Sequence, residues 1–363
     1  MPAEVMKDVT DGITWWLDAA SKSLDVHEEI FLDLCRRVLA LPHREGTDSG
    51  EPVGTAINHP VGHVTEALLN FWFKREPSDN DRLPVEIEPF FTRLCDVGVV
   101  HFRHGRVLLA SRLIALFRID QPWTEAHLLP LLDWAIDAAE ARAAWAGFLW
   151  SPRLYPPLLA SLRRQFLDTA QHYVELGEHG EQFAALLTYS ALDPLEGYSA
   201  QDFRAALSSL PGKGLEEAAQ ALVRALEGAG DQTEDYWTNR IQPFWQNIWP
   251  KSLELASNGI AGHLARLSIA ARGQFPAAFE AVSGWLRPLE YPGFVVHLLD
   301  ESGLCAQFPE VALRLLDAII DDQPWIPSEL AHCLTAISQA AAAMLQDRRH
   351  QRLLEYSRRR DLL

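Results

Sequence analysis

The sequence has no Cys-x-x-Cys pair, no glycine-rich phosphate loop and no long uninterrupted apolar run. Each absence removes a class of function. Cys35, Cys95, Cys305 and Cys333 are widely separated. They read as reduced thiols packed like small apolar residues, which fits a cytoplasmic chain and excludes a disulfide framework or zinc ribbon. There is no Gly-x-Gly-x-x-Gly, and Leu210-Pro-Gly-Lys-Gly lacks the first glycine and the hydroxyl residue of a phosphate-binding loop. There is no Gly-x-Ser-x-Gly either, so neither a nucleotide cofactor nor an acyl-transfer nucleophile is expected. A membrane-spanning helix needs about 18 apolar residues. The best stretch, Ala331–Leu345, is broken by His332, Gln339 and two hydroxyls. The first residues lack the charged-then-apolar layout of a signal peptide.

What is present points to a large folded core. Hydrophobic residues make up 48% of the 363 and charged residues 22%, which places the chain among globular proteins rather than disordered ones. Twelve tryptophans supply the bulk of an extended core, since burying a large aromatic contributes roughly 1.5–3 kcal/mol. Acidic residues number 49 against 32 basic, a formal charge of −17 that repels a phosphate backbone and disfavours nucleic acid as a partner.

Apolar residues recur at i, i+3, i+4 and i+7 along most of the chain, in segments closed by proline, glycine or polar clusters. Helices are expected over Ile13–Ala20, His27–Leu41, Val64–Phe73, Thr124–Ala141, Tyr155–Leu176, Ala200–Ser209, Leu215–Glu227 and Ser328–Met344, among others. Ser199, Thr124 and Ser328 stand where N-caps are needed. One segment, Gly98–Leu109, alternates apolar and polar residues around His104-Gly105 and suggests a short β-hairpin over 98–109. The fold class is therefore all-α: an α-solenoid of stacked helix pairs, divergent HEAT- or TPR-like. Asp120-Gln-Pro-Trp123 recurs as Asp322-Gln-Pro-Trp325, each ahead of a helix where the tryptophan can wedge between neighbours, and this echo supports a repeat. The array reads as an N-terminal part, 1–227, with a long loop at 42–60, and a C-terminal part, 236–363, ending in a basic helix at 347–360. Trp15-Trp16-Leu17 comes with no polar capping repeat before it. That order suggests the C-terminal piece of a longer polypeptide, or an end covered by a partner.

Five constellations are candidates for chemistry or binding. His59-Pro-Val-Gly-His63 with Glu66 has metal-ligand spacing, set against a reading as polar caps at a helix start. His101, Arg103, His104 and Arg106 form a small basic patch on the expected hairpin, suited to a phosphate or to plain solvation. Glu125, Asp133, Asp137 and Glu140 read as a solvated helix face. Tyr236–Ser252 is the most distinctive stretch: Trp237, Ile241, Phe244, Trp245 and Trp249 fall at helical intervals, with Pro243 expected to bend or restart the helix. This segment is either a core wedge or a partner hot spot, and in the second case Trp237, Arg240, Trp245 and Lys251 are the contact residues. The tail adds six arginines from Arg348 and Arg349 to Arg360, suited to acidic surfaces of the scaffold, a second copy, or nucleic acid.

Trp237–Ser252 (WTNRIQPFWQNIWPKS) and Phe148–Leu159 (FLWSPRLYPPLL) resemble a helical domain of unknown function at the C-terminus of bacterial proteins whose N-terminal module is sirtuin-like. The similarity runs from about Gly105 onward and rests on packing motifs. Such proteins are similar to antiphage-defence effectors, and the resemblance implies a sensor or assembly role for the helical part, with an effector domain or a phage protein as partner. The chain departs from that layout in having no dinucleotide-binding βαβ unit, so no NAD chemistry transfers to its residues. The sequence thus supports a non-catalytic interaction scaffold without a cofactor. The rivals are a metal protein using His59, His63 and Glu66, and a nucleic-acid binder using the terminal arginines.

Overall fold

The computed structural model describes residues 9–23, 28–43, 50–321 and 325–358, and among them there is no strand. The chain divides into two compact units, 1–183 and 184–363. The Gly228–Asp235 segment lies inside the second unit, where Gly230–Gln232 is a 3-10 turn.

In the first unit, α1 (Thr10–Ser21) and α2 (Glu28–Leu39) pack on α4 (Pro60–Phe73). The start of α4 combines Pro60 in the first turn with the His59 side chain accepting from Val61 N, the arrangement that suits the unsatisfied amides of a helix start. Between them, within the stretch expected as a loop, Pro52–Ile57 forms α3, capped by the Glu51 carboxylate on the Val53 and Gly54 amides. Next come α5 (Glu88–Leu94), α6 (Arg103–Ser111), α7 (Leu113–Ile119), α8 (Gln121–His127) and α9 (Ala138–Leu149). Helix α6 is surrounded by α3, α4 and α9.

That crowding overturns the hairpin expected over 98–109. The segment is a 3-10 turn at Val100–Phe102 running into α6. Val107, Leu108, Leu109 and Ala110 are all buried, so α6 has no solvent stripe to give a helical period. Gly105 makes no turn: a Cβ there would press on Leu94 and Thr65. Two other helix expectations also break. Thr124–Ala141 spans α8, a 3-10 turn at Leu129–Leu132 and the start of α9, with Asp120 rather than Thr124 as the cap of α8. Tyr155–Leu176 resolves into α10 (Pro156–Ser161), α11 (Arg163–Asp168) and a 3-10 turn at Thr169–His172.

The division between units falls within α12 (Gly180–Ser190). The second unit continues with α13 (Ala200–Ser209), capped by Ser199 as expected, with Asp202 completing a reciprocal capping box. Helix α14 (Gly212–Gly228) buries Leu215, Ala218, Ala219, Leu222, Val223 and Leu226 on one face. Beyond α15 (Thr233–Tyr236), Trp237–Ile241 is one π-turn and α16 (Gln242–Asn247) restarts with Pro243 in its first turn. The missing proline amide accounts for the restart, since the ring cannot complete an i−4 hydrogen bond.

The remaining elements are α17 (Asn258–Ala270), α18 (Phe275–Val282), α19 (Gly293–Glu301), α20 (Leu304–Gln307), α21 (Pro309–Ile319), α22 (Leu330–Ala340) and α23 (Arg348–Arg358). They form two layers. Helices α14, α17, α19 and α22 pack in succession in one, and α16, α18, α21 and α23 in the other. Each pair spans the layers, as α17 does with α18 and α22 with α23. This is a helical-repeat arrangement, with each pair burying the apolar face of the one before it. Ser328 does not cap α22; Glu329 holds the N-cap position.

Candidate interaction surface

The residues singled out from the sequence are mostly structural. Trp237 is fully buried and Trp245 is 5% exposed, so neither ring can meet a partner, and the expectation of a contact site there is corrected. Trp245 stacks on Trp249 with centroids 5.1 Å apart, Trp285 meets both edge-on, and the Trp245 indole N–H donates to the Ala281 carbonyl at 2.7 Å. Arg240 pairs with Asp193 at 2.6 Å, and Lys251 Nζ donates to the Trp245 carbonyl at 2.7 Å. In the tail, Arg349 is paired with Asp347, and Arg352 with Asp317. Arg348 is exposed, while Arg359 and Arg360 lie outside the described residues.

The metal constellation does not assemble. His59 Nδ1 is occupied by the Val61 amide, His63 sits beside Trp15 with centroids 6.0 Å apart, and Glu66 lies 3.6 Å from Arg112. Among the described residues no group of three His, Cys, Asp or Glu side chains is arranged to hold a metal ion. His59 instead stacks on His104 at 3.9 Å, with His43 5.5 Å from His59 and 5.3 Å from His101. Burial, then the charges of Arg103, His101, Arg106 and His43, pull His104 down to about 4.

The basic patch and the acidic face are also dismantled. Arg106 lies in the interior, bonded to Glu140 and to the carbonyls of Leu94 and Asp96. Of the four acids read as one solvated face, Glu125 is exposed in α8, Asp133 is buried against Arg164, Asp137 caps α9, and Glu140 is buried. Only Asp137 and Glu140 share a helix, so the four do not form one helical face.

The surface the sequence did not reveal lies in the second unit. Three contiguous depressions follow the solvent side of the α14–α17–α19 layer. The first, about 500 Å³, lies between the start of α19 and residues 325–329. The second, about 330 Å³, lies between α17 and α19 and shares Tyr291 and Phe294 with the first. The third, about 370 Å³, lies at the other end of the same helices and shares Arg266 with the second. Three large aromatics stand in this groove in the open: Tyr291 (71% exposed), Phe294 (56%) and Trp325 (73%).

Local structure explains their position. Val295, Val296 and Leu299 turn α19 toward the core, which leaves Phe294, His297 and Glu301 on the opposite side. The strand-like approach to α19 is pinned by the Leu289 amide, which donates to the Ile319 carbonyl at 2.8 Å. The Tyr356 hydroxyl of α23 donates to the Trp325 carbonyl at 3.3 Å, anchoring the backbone beneath an exposed ring. On α17, Gly262 leaves space, Gly259 lies against the Glu216 carboxylate, and His263 and Arg266 line the depression. Burial and the charges of Arg266 and Arg224 pull His263 down to about 4. The Arg266 guanidinium lies over the Phe294 ring at 5.1 Å and 3.4 Å from Glu227.

The recurrence of Asp-Gln-Pro-Trp was the one available signal, and its two copies diverge. Trp123 is buried in the first turn of α8 with its indole donating to Thr92. Trp325 is exposed and wedges between nothing, a correction to the expectation for the second copy; Asp322, Gln323 and Pro324 lie outside the described residues.

The chain is similar to the uncharacterized protein y4cA of Sinorhizobium fredii (strain NBRC 101917 / NGR234). The two are 29% identical over 336 residues, 86% of this chain and 27% of that protein. The chain therefore spans about a quarter of the length of that relative. No family model matches the chain, and no solved structure matches it significantly.

Proposed function

We propose that this chain is a non-catalytic helical-repeat interaction module whose second unit docks a protein partner in the groove formed by α17, α19 and residues 325–329. The observation that carries the proposal is the trio Tyr291, Phe294 and Trp325, all exposed, two at the start of α19 and one in the facing segment 325–329. Exposed aromatics flanking contiguous depressions are the composition of interface hot spots. The perturbed groups have packing explanations instead of catalytic ones. Burial pushes the Cys35 and Cys95 thiols up, Cys95 to about 12, away from the reactive thiolate, and buries His104 as a neutral imidazole.

The module works within a larger cytoplasmic protein of the bacterial antiphage-defence type, where it senses a partner or assembles the complex. A relative more than three times as long, aligned over most of this chain, supports a modular role. Among the described residues no helix is long and apolar enough to cross a membrane.

Site-specific photo-crosslinking tests the docking surface. A benzophenone side chain at position 294 is expected to trap a polypeptide that the same group at exposed Val85, in the first unit, does not. Equal yields from the two positions, or capture from position 85 alone, contradict the assignment.

A further inference from the structure

The first depression differs from its neighbours in what lines it. Tyr291 and Trp325 present rings to solvent, one from each wall of it, and Glu329 and His297 also line it. His297 is itself flanked by carboxylates, Glu301 at 3.4 Å and Glu329 at 3.8 Å. Aromatic faces carry a negative quadrupole that attracts a cation within about 6 Å of the ring centroid. A carboxylate at the rim adds to that attraction and repels an anion.

The adjoining part of the groove shows the same chemistry within the chain itself. There the Arg266 guanidinium is held by one aromatic face, Phe294, and one carboxylate, Glu227. The first depression repeats these ingredients with Trp325, Tyr291 and Glu329, in a chain whose formal charge is −17.

We propose that the cleft between α19 and residues 325–329 receives a cationic side chain, an arginine or lysine of the docked protein, with Tyr291 and Trp325 as its aromatic walls and Glu329 as its counter-charge. This rests on the docking reading given above and names the chemistry of the partner: a basic segment that inserts one long cationic side chain into about 500 Å³. The floor is built to stay in place, because Trp325 is tied through its carbonyl to Tyr356 and Glu329 Oε2 accepts from the Ser328 hydroxyl at 2.7 Å.

Calorimetric titration of the full chain with two blocked peptides tests this. One alternates glycine with arginine, and the other replaces each arginine by citrulline, which keeps the shape and removes the charge. The arginine peptide is expected to bind and the citrulline peptide not to. Trp325→Ala and Glu329→Gln should each weaken binding at least tenfold, Trp325→Phe should restore most of the loss, and Glu88→Gln, on the first unit, should have no effect. Trp325 is at the surface, so circular dichroism melting of Trp325→Ala should be unchanged.

Equal binding of the citrulline peptide overturns the cation assignment. Equal weakening by Glu88→Gln and Glu329→Gln assigns the attraction to net charge and also overturns it. Absence of arginine-peptide binding while crosslinking from position 294 persists removes the slot and leaves the docking groove, whereas loss of both removes the groove.

Discussion

Arg106 and Glu140, 34 residues apart, meet in the interior of the first unit in a two-pronged ion pair: Nε to Oε2 at 2.7 Å and Nη2 to Oε1 at 2.9 Å. Both side chains are almost wholly buried, at 1% and 5% exposure. Arg106 Nη1 donates to the Leu94 and Asp96 carbonyls, and Arg103 adds a second cation on Glu140 at 2.7 Å.

Removing Arg106 leaves the buried Glu140 carboxylate with only the partly exposed Arg103 as counter-charge and strips the Leu94 and Asp96 carbonyls of a donor. Arg106→Met is therefore expected to destabilise the protein by about 3 kcal/mol, in the range of buried-pair disruptions. The double variant Arg106→Met with Glu140→Met should recover part of that loss, because it removes the stranded carboxylate. Urea denaturation of the two variants and the parent measures both effects, and equal stability of the single variant and the parent would contradict the reading.

Two glycines should respond to the same substitution in opposite directions. A Cβ at Gly147 would stand 2.2 Å from the Val107 carbonyl oxygen, where α9 crosses α6. Gly147→Ala is expected to cost about 1–3 kcal/mol through forced backbone movement. At Gly262, within α17 on the groove floor, a Cβ would meet only Leu289 Cδ2 at 4.0 Å. Gly262→Ala should stabilise by about 0.5–1 kcal/mol by restricting the unfolded chain and favouring helix. Thermal melts of both variants check the signs.

These cases show where the sequence was legible and where it was not. Ser199–Ser209 and Gly212–Gly228 carry their signals locally, a reciprocal cap in one and a one-sided apolar stripe in the other. Arg103–Ser111 does not, because its polar residues do not mark a solvent face: Arg106 is buried with Val107–Ala110 against neighbouring helices. The same limit hid the role of Arg106, whose partner lies in another helix. The groove draws on residues from three separate segments, and nothing adjacent to Trp325 distinguishes it from Trp123 in the matching tetrapeptide. Burial is a tertiary property, and identical words can fall on either side of it.

Acid should weaken the fold before the carboxylates titrate. His104 and His263 are each held at about 4, below the ordinary 6.5. Between those values the unfolded chain takes up protons that the folded chain refuses, so stability rises with pH across that window and levels off above it. His104 is faced by His43, His59 and His101 and by Arg103 and Arg106, all of which oppose a further positive charge or are neutral. The urea midpoint is expected to be lower at pH 5 than at pH 7.5, and His104→Gln should reduce that difference. A midpoint independent of pH in this range would contradict the account of the cluster.

The central claim is that Tyr291, Phe294 and Trp325 are covered by a protein partner where the module works. Hydroxyl-radical footprinting of the chain inside its native cells and after purification tests this most directly, with exposed Trp15 and Trp150 as internal references. The account predicts that the three groove aromatics oxidise severalfold more slowly in the cell than in the purified protein, while Trp150 changes little. Equal oxidation of the trio in both settings, with protection falling elsewhere, would contradict it.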